Sequence, residues 1–161
     1  MNMFSGFSGL KRTSLITLLA CLGAAGDACA QARFAYSLDG TEVVDSQYGL
    51  VWRRCSEGQT WTASSCTGNP TIFTHEEALI YAKKQIGWRL PNIKELSSLV
   101  DASRFNPAID GNAFPLTANA IYWSSTPDVR VPALAWSVDF GMGSVVSTGR
   151  DTYGVLVRLV R

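Results

Sequence analysis

The stretch Trp88-Arg89-Leu90-Pro91-Asn92-Ile93-Lys94-Glu95-Leu96 decides how this chain reads. Proline disfavours helical backbone in the residue before it, so Arg89-Leu90-Pro91 is expected to be extended. Asn92 then caps a helix. Its side-chain oxygen takes a free backbone N–H, and Glu95 reaches back to the cap. Leu96, Leu99 and Val100 form the apolar stripe, and the helix is expected to end near Asp101. A second box of the same kind lies upstream, where Thr74 and Glu77 open a helix. Ala78, Ala82 and Ile86, with Leu79 beside them, give it an apolar face, and Gly87 stops it.

Strands are expected on both sides of this helical centre. Phe34 to Val44 reads as an extended region broken at the turn pair Asp39-Gly40, and Gly49-Leu50-Val51-Trp52 as a short strand. Arg53 to Pro70 is a polar loop. Phe105 to Ala120 has no period and carries Pro107, Gly111 and Pro115, so it reads as a long loop held by Ile109 and Phe114. Four strand candidates follow: Ile121–Ser125, Ala135–Phe140, Ser144–Thr148 and Gly154–Val160. In the second, Trp136, Val138 and Phe140 share one face, with Ser137 and Asp139 on the other. The last alternates apolar residues on both sides and has only Arg158 as a polar member, the pattern of a strand buried on both faces. The order, with strands, two helices, a long loop and then a run of strands, predicts an α+β domain with an antiparallel sheet.

The N-terminus reads as a secretory signal over residues 1–30. Lys11 and Arg12 are the positive flank, Ser14 to Ala25 the apolar run, and Ala28-Cys29-Ala30 an A-x-A-like cleavage site. The run is shorter than the roughly 20 residues a spanning helix needs, so no transmembrane span is expected in the mature chain. Leu18-Leu19-Ala20-Cys21 offers the alternative of a lipid anchor on Cys21. The domain proper is then 31–161, exported to the periplasm, the cell surface or the medium. Losing Lys11, Arg12 and Asp27 leaves twelve basic and twelve acidic residues, so composition gives no footprint for nucleic acid. Two of the four cysteines go with the signal. Cys55 and Cys66 remain, and in an oxidising compartment that pair reads as a disulfide. Metal ligation is the rival reading, although the single histidine, His75, makes a poor zinc set with two thiols.

Catalytic patterns are sparse. His75 falls in the first turn of a helix and is expected to be solvated. There is no G-x-S-x-G elbow, P-loop or G-x-G-x-x-G, so the chain is not expected to be an enzyme. Asp45, Asp110, Asp128, Asp139 and Asp151 sit in or beside turns, where aspartates cap their own backbone. Calcium is the cofactor they would suit, but the spacing names no ligand set. Of five tryptophans, Trp88, Trp123 and Trp136 are expected in the core or packed on the sheet. Trp61, in the polar loop, is expected to be exposed and available for contact.

Together these segments resemble the Lcl C-terminal domain family, named after the C-terminal domain of a Legionella collagen-like adhesin. The resemblance runs through Asp39-Gly40-Thr41, Val44-Asp45 and Gly49-Leu50-Val51-Trp52, then Arg53 to Trp61 with Cys66-Thr67-Gly68. It continues through Trp88 to Leu96, Asn106 to Asp110, Phe114-Pro115, Tyr122-Trp123-Ser124-Ser125-Thr126, Ala135 to Phe140 and Val157 to Arg161. It implies an extracytoplasmic module with a C-type-lectin-like fold in which the terminal strands pair, and a glycan or protein ligand. The alternatives are an extracytoplasmic enzyme using a metal or carboxylates, or a structural part of an envelope assembly. The namesake binds sulfated glycosaminoglycans, which directs attention to Arg53, Arg54, Arg104, Arg130 or Arg150 as sources of a local basic patch. The Trp-Arg-Leu-Pro motif also resembles one in formylglycine-generating enzymes, but no cysteine follows Cys66 to supply their catalytic pair. Trp88, Arg89, Leu90, Pro91, Trp123, Trp136 and Arg158 are expected to be structural. Arg89 and Arg158 should pair with a carboxylate or loop carbonyls.

Overall fold

The structure, a computed structural model, describes residues 32–161. The expected signal segment, its cleavage site and Cys21 lie outside the described residues. Three small antiparallel sheets and two short helices make up the α+β domain. Strands β1 (Phe34–Tyr36), β2 (Glu42–Asp45) and β3 (Leu50–Arg53) form the first sheet, in that order. Between β1 and β2, Asp39 accepts from the Ser37 hydroxyl and from the N–H and hydroxyl of Thr41. Gly40 takes the positive φ this turn needs.

The polar loop holds regular structure of its own. Strands β4 (Thr60–Trp61) and β5 (Cys66–Thr67) pair as a two-stranded hairpin. Two-residue strands carry too little pattern to be seen in a sequence. Cys55 and Cys66 are joined by a disulfide, with 5.5 Å between Cα atoms. Closing an eleven-residue span stabilises by roughly 2–3 kcal/mol on the chain-entropy view. Replacing both cysteines with alanine should lower the urea midpoint by the equivalent of about 2–3 kcal/mol. A midpoint unchanged in the double variant would show that the hairpin holds without its cross-link.

Helices α1 (His75–Lys84) and α2 (Ile93–Ser97) both carry complete capping boxes, Thr74 with Glu77 and Asn92 with Glu95. Ala78 and Ala82 are buried as expected, but Ile86 is 98% exposed. The helix stops at Lys84, because Gln85 is extended and its N–H bonds to Ala82 O. Ile86 therefore falls past the last turn and off the apolar face.

Strands β6 (Ile121–Pro127), β7 (Leu134–Asp139) and β8 (Ser144–Gly149) form the third sheet, again antiparallel and in sequence order. Both of its faces are covered, since Tyr122 and Trp123 are neighbours that belong to different apolar clusters. Tyr122, Val138 and Phe140 pack with Val43, Trp52, Leu96 and Phe114. Trp123 and Ala135 pack with Phe73, Ala78, Leu90 and Val157. That burial corrects the expected polar face of β7. Ser137 is fully buried and shares a hydrogen bond with the Thr148 hydroxyl at 2.6 Å. Trp136, grouped by alternation with the core residues, is only half-buried.

The C-terminal segment Val155–Val160 is buried throughout, as its pattern required. It is not a regular strand, however, and pairs through single bridges to four partners. Trp52 and Arg89 bridge Val160, Phe73 bridges Val155, and Tyr122 bridges Leu156 in parallel. Backbone bonds from Val51, Arg53 and Glu57 on one side and Trp123 on the other connect the first sheet to the third through this segment. A chain that divides its hydrogen bonds among several neighbours cannot build one long ladder. Arg89-Leu90-Pro91 is the extended crossing predicted: Arg89 exchanges two bonds with Val160, and Pro91 O accepts from Ser125. Among the described residues no helix is long and apolar enough to cross a membrane.

Candidate ligand-binding site

The end of β3, the start of the disulfide loop, β2 and β4 converge with Trp88 around a cleft of about 360 Å³. Arg53 and Trp61, two of the residues singled out from sequence, line it together with Glu42, Glu57, Thr60 and Trp88. Arg53 donates to Glu57 Oε2 at 2.8 Å and to Gln85 Oε1 at 3.1 Å. The same carboxylate oxygen accepts from the Tyr81 hydroxyl at 2.7 Å. Burial first, and then this carboxylate, push the Tyr81 phenol up to about 12. Trp88, expected in the core, is half-buried instead. The guanidinium carbons of Arg53 and Arg161 each lie 5.0 Å from its ring, and Arg161 is also bound to Glu42 at 2.5 Å.

Trp61 is likewise half-buried rather than exposed. It is packed close to Gly40, where an added Cβ would come within 2.7 Å of the indole nitrogen. Arg54 lies 4.0 Å from the Trp61 ring and 4.3 Å from that of Tyr36. It also donates to the carbonyls of Gly40, Asn112 and Ala113. The loop tryptophan is thus part of a stack whose partners are remote in sequence.

The remaining arginines stay apart from this cleft. Arg104 pairs with Asp101 and Arg130 with Asp128. Arg130 lies 5.3 Å from the Trp136 ring, and its hydrogen bonds hold the Asp128 carboxyl down at about 2. Arg150 faces Thr74, Glu76 and Asp151 across a separate hollow. The five arginines therefore form no single basic patch.

Residues 41–161 match the profile of the Lcl C-terminal domain. The chain belongs to that family. No curated protein matches it in sequence. The match takes in every residue that lines the cleft and both cysteines.

In this Lcl C-terminal domain the two motif arginines hold structural positions of different kinds. Arg89 makes two bonds to Glu95, at 2.7 and 2.8 Å, and these hold the Glu95 carboxyl below its ordinary range. Arg158 is fully buried and meets loop carbonyls and hydroxyls instead of a carboxylate. Three further turn aspartates are similarly engaged. Asp45 is paired with Arg33, Asp110 caps Asn112 and Ala113, and Asp139 caps Gly141. Among the described residues no three His, Cys, Asp or Glu side chains gather in a way that could hold a metal.

His75 corrects another expectation. It is 1% exposed, not solvated. Its Nε2 lies 3.0 Å from Ser124 O, and its ring meets Trp123 edge-on at 5.0 Å between centroids. The imidazole pins the start of α1 to β6. Burial, assisted by the nearby Arg150 charge, lowers its pKa from the ordinary 6.5. The folded state then binds the proton less readily than the unfolded chain. Stability from this site is complete above pH about 6.5 and declines as pH falls below it. His75→Gln keeps an amide donor for Ser124 O but cannot titrate. Urea unfolding between pH 7 and 5 should show a flatter slope in that variant. Identical slopes would mean that His75 carries none of the pH dependence.

Proposed function

We propose that this Lcl C-terminal domain is an exported binding module of the adhesion type, with a C-type-lectin-like fold. It recognises a glycan or protein ligand at the cell surface or in the periplasm, performs no catalysis and needs no resident cofactor. The cleft bounded by Trp61, Trp88, Arg53 and Glu57 carries this reading, because it joins apolar ring surface to convergent polar groups in one concavity. Pairing of the C-terminal segment with β3 returns the end of the chain to the N-terminal sheet, which supports the lectin-like fold. The Cys55–Cys66 disulfide supports an oxidising compartment, and the signal-like N-terminus supports export. Engagement of His75, the only histidine, with a backbone carbonyl supports a non-catalytic role.

A glycan array and a pull-down from host and bacterial surface extracts with the purified chain test this reading. Binding in either supports it, and silence in both overturns it. Metal analysis of the same preparation tests the absence of catalysis. A stoichiometric transition metal would argue for an enzyme instead.

A further inference from the structure

We infer that the cleft beside the β4–β5 hairpin is a subsite for a neutral, hydroxyl-bearing ligand unit of the size of one or two sugar rings; this deepens, and rests on, the binding-module reading. Its charge pattern argues first. Arg53 is held by Glu57 and Arg161 by Glu42, so the charged groups at the cleft compensate one another. A sulfate or carboxylate would have to draw a guanidinium from a carboxylate that is itself almost fully buried, since the Glu57 side chain is 3% exposed. Leaving that carboxylate unpaired is strongly unfavourable.

Hydrogen-bonding capacity that carries no charge points the same way: the side chains of Gln59 and Thr60 stand at the cleft and can exchange hydrogen bonds with hydroxyls. The half-buried indoles of Trp61 and Trp88 add apolar surface for the C–H faces of such a ligand. The rim, from Thr41, Gln59 and Thr60, is uncharged, and about 360 Å³ lies at the small end of ligand sites.

Thr60 is exposed on the rim and stands outside the charge network, so Thr60→Arg fills the mouth without disturbing the fold; an unchanged Tm checks this. The purified chain and this variant are compared on an array carrying neutral and sulfated glycans. Neutral glycans should bind, and the variant should bind them about tenfold or more weakly. A profile confined to sulfated glycans overturns the inference, as does neutral binding that Thr60→Arg leaves intact. Silence across the array also overturns it. The binding-module reading survives each of these where a sulfated glycan, a neutral glycan at another site or a protein partner is bound, and falls only when none is.

Discussion

Arg158→Ala should destabilise the domain by about 3–5 kcal/mol and lower its Tm by roughly 10 °C or more. The guanidinium is fully buried and no carboxylate pairs with it. Instead Nη1 donates to the carbonyls of Arg53 and Arg54, while Nη2 donates to the hydroxyls of Thr117, at 2.8 Å, and Ser56, at 3.3 Å. Phe114 lies 4.8 Å from the guanidinium carbon. One side chain on the C-terminal segment thus fastens the start of the disulfide loop and the long loop after α2. Alanine would strand these acceptors in the interior and leave a cavity. Arg158→Lys keeps the charge but loses the planar fork, so its cost should fall between wild type and alanine. Urea unfolding of the two variants measures both. A loss below about 1 kcal/mol for alanine would show that the cluster is satisfied without the guanidinium.

Trp123→Ala should cost a similar amount, about 3–5 kcal/mol. The indole is fully buried, donates to Phe73 O at 3.1 Å, and packs with Ala78, Leu90, Val157 and the His75 ring. Its loss opens a large hole where α1, β6 and the C-terminal segment meet, and it frees the Phe73 carbonyl. Trp123→Phe retains most of the apolar volume and should cost clearly less, with the remainder reporting the hydrogen bond. Equal losses for the two variants would place the energy in that bond instead of in packing.

The starts of both helices, the first sheet, the long loop and the disulfide were legible because each is written locally; α2 itself ends at Ser97, short of the expected Asp101. Capping boxes occupy four residues, and Asp39-Gly40 marks its own turn between the first two strands. What the sequence hid depends on neighbours far along the chain. The β4–β5 hairpin is too short to carry a period. Ser137 is buried because the third sheet is covered on both faces, which alternation alone does not reveal. Trp88 and Trp61 exchanged their expected roles for a shared one. Arginines brought in from Arg53, Arg54 and Arg161 hold both rings at half-burial beside one cleft. Of the arginines singled out, Arg53 lines the cleft and Arg54 stacks on Trp61 behind it. Glu42, Glu57 and Arg161 were missed, because their acidic and terminal positions gave no sign that they would neutralise the site.

The central claim is that ligand recognition occurs between Trp61 and Trp88. Titrating the purified chain with a saccharide selected on the array, while following the five tryptophan indole N–H resonances by NMR, tests it most directly. Recognition there moves the Trp61 and Trp88 resonances and leaves those of Trp52, Trp123 and Trp136 in place. Movement at Trp136, packed beside Arg130, with Trp61 and Trp88 unchanged would contradict it and place recognition on the loop that follows β6.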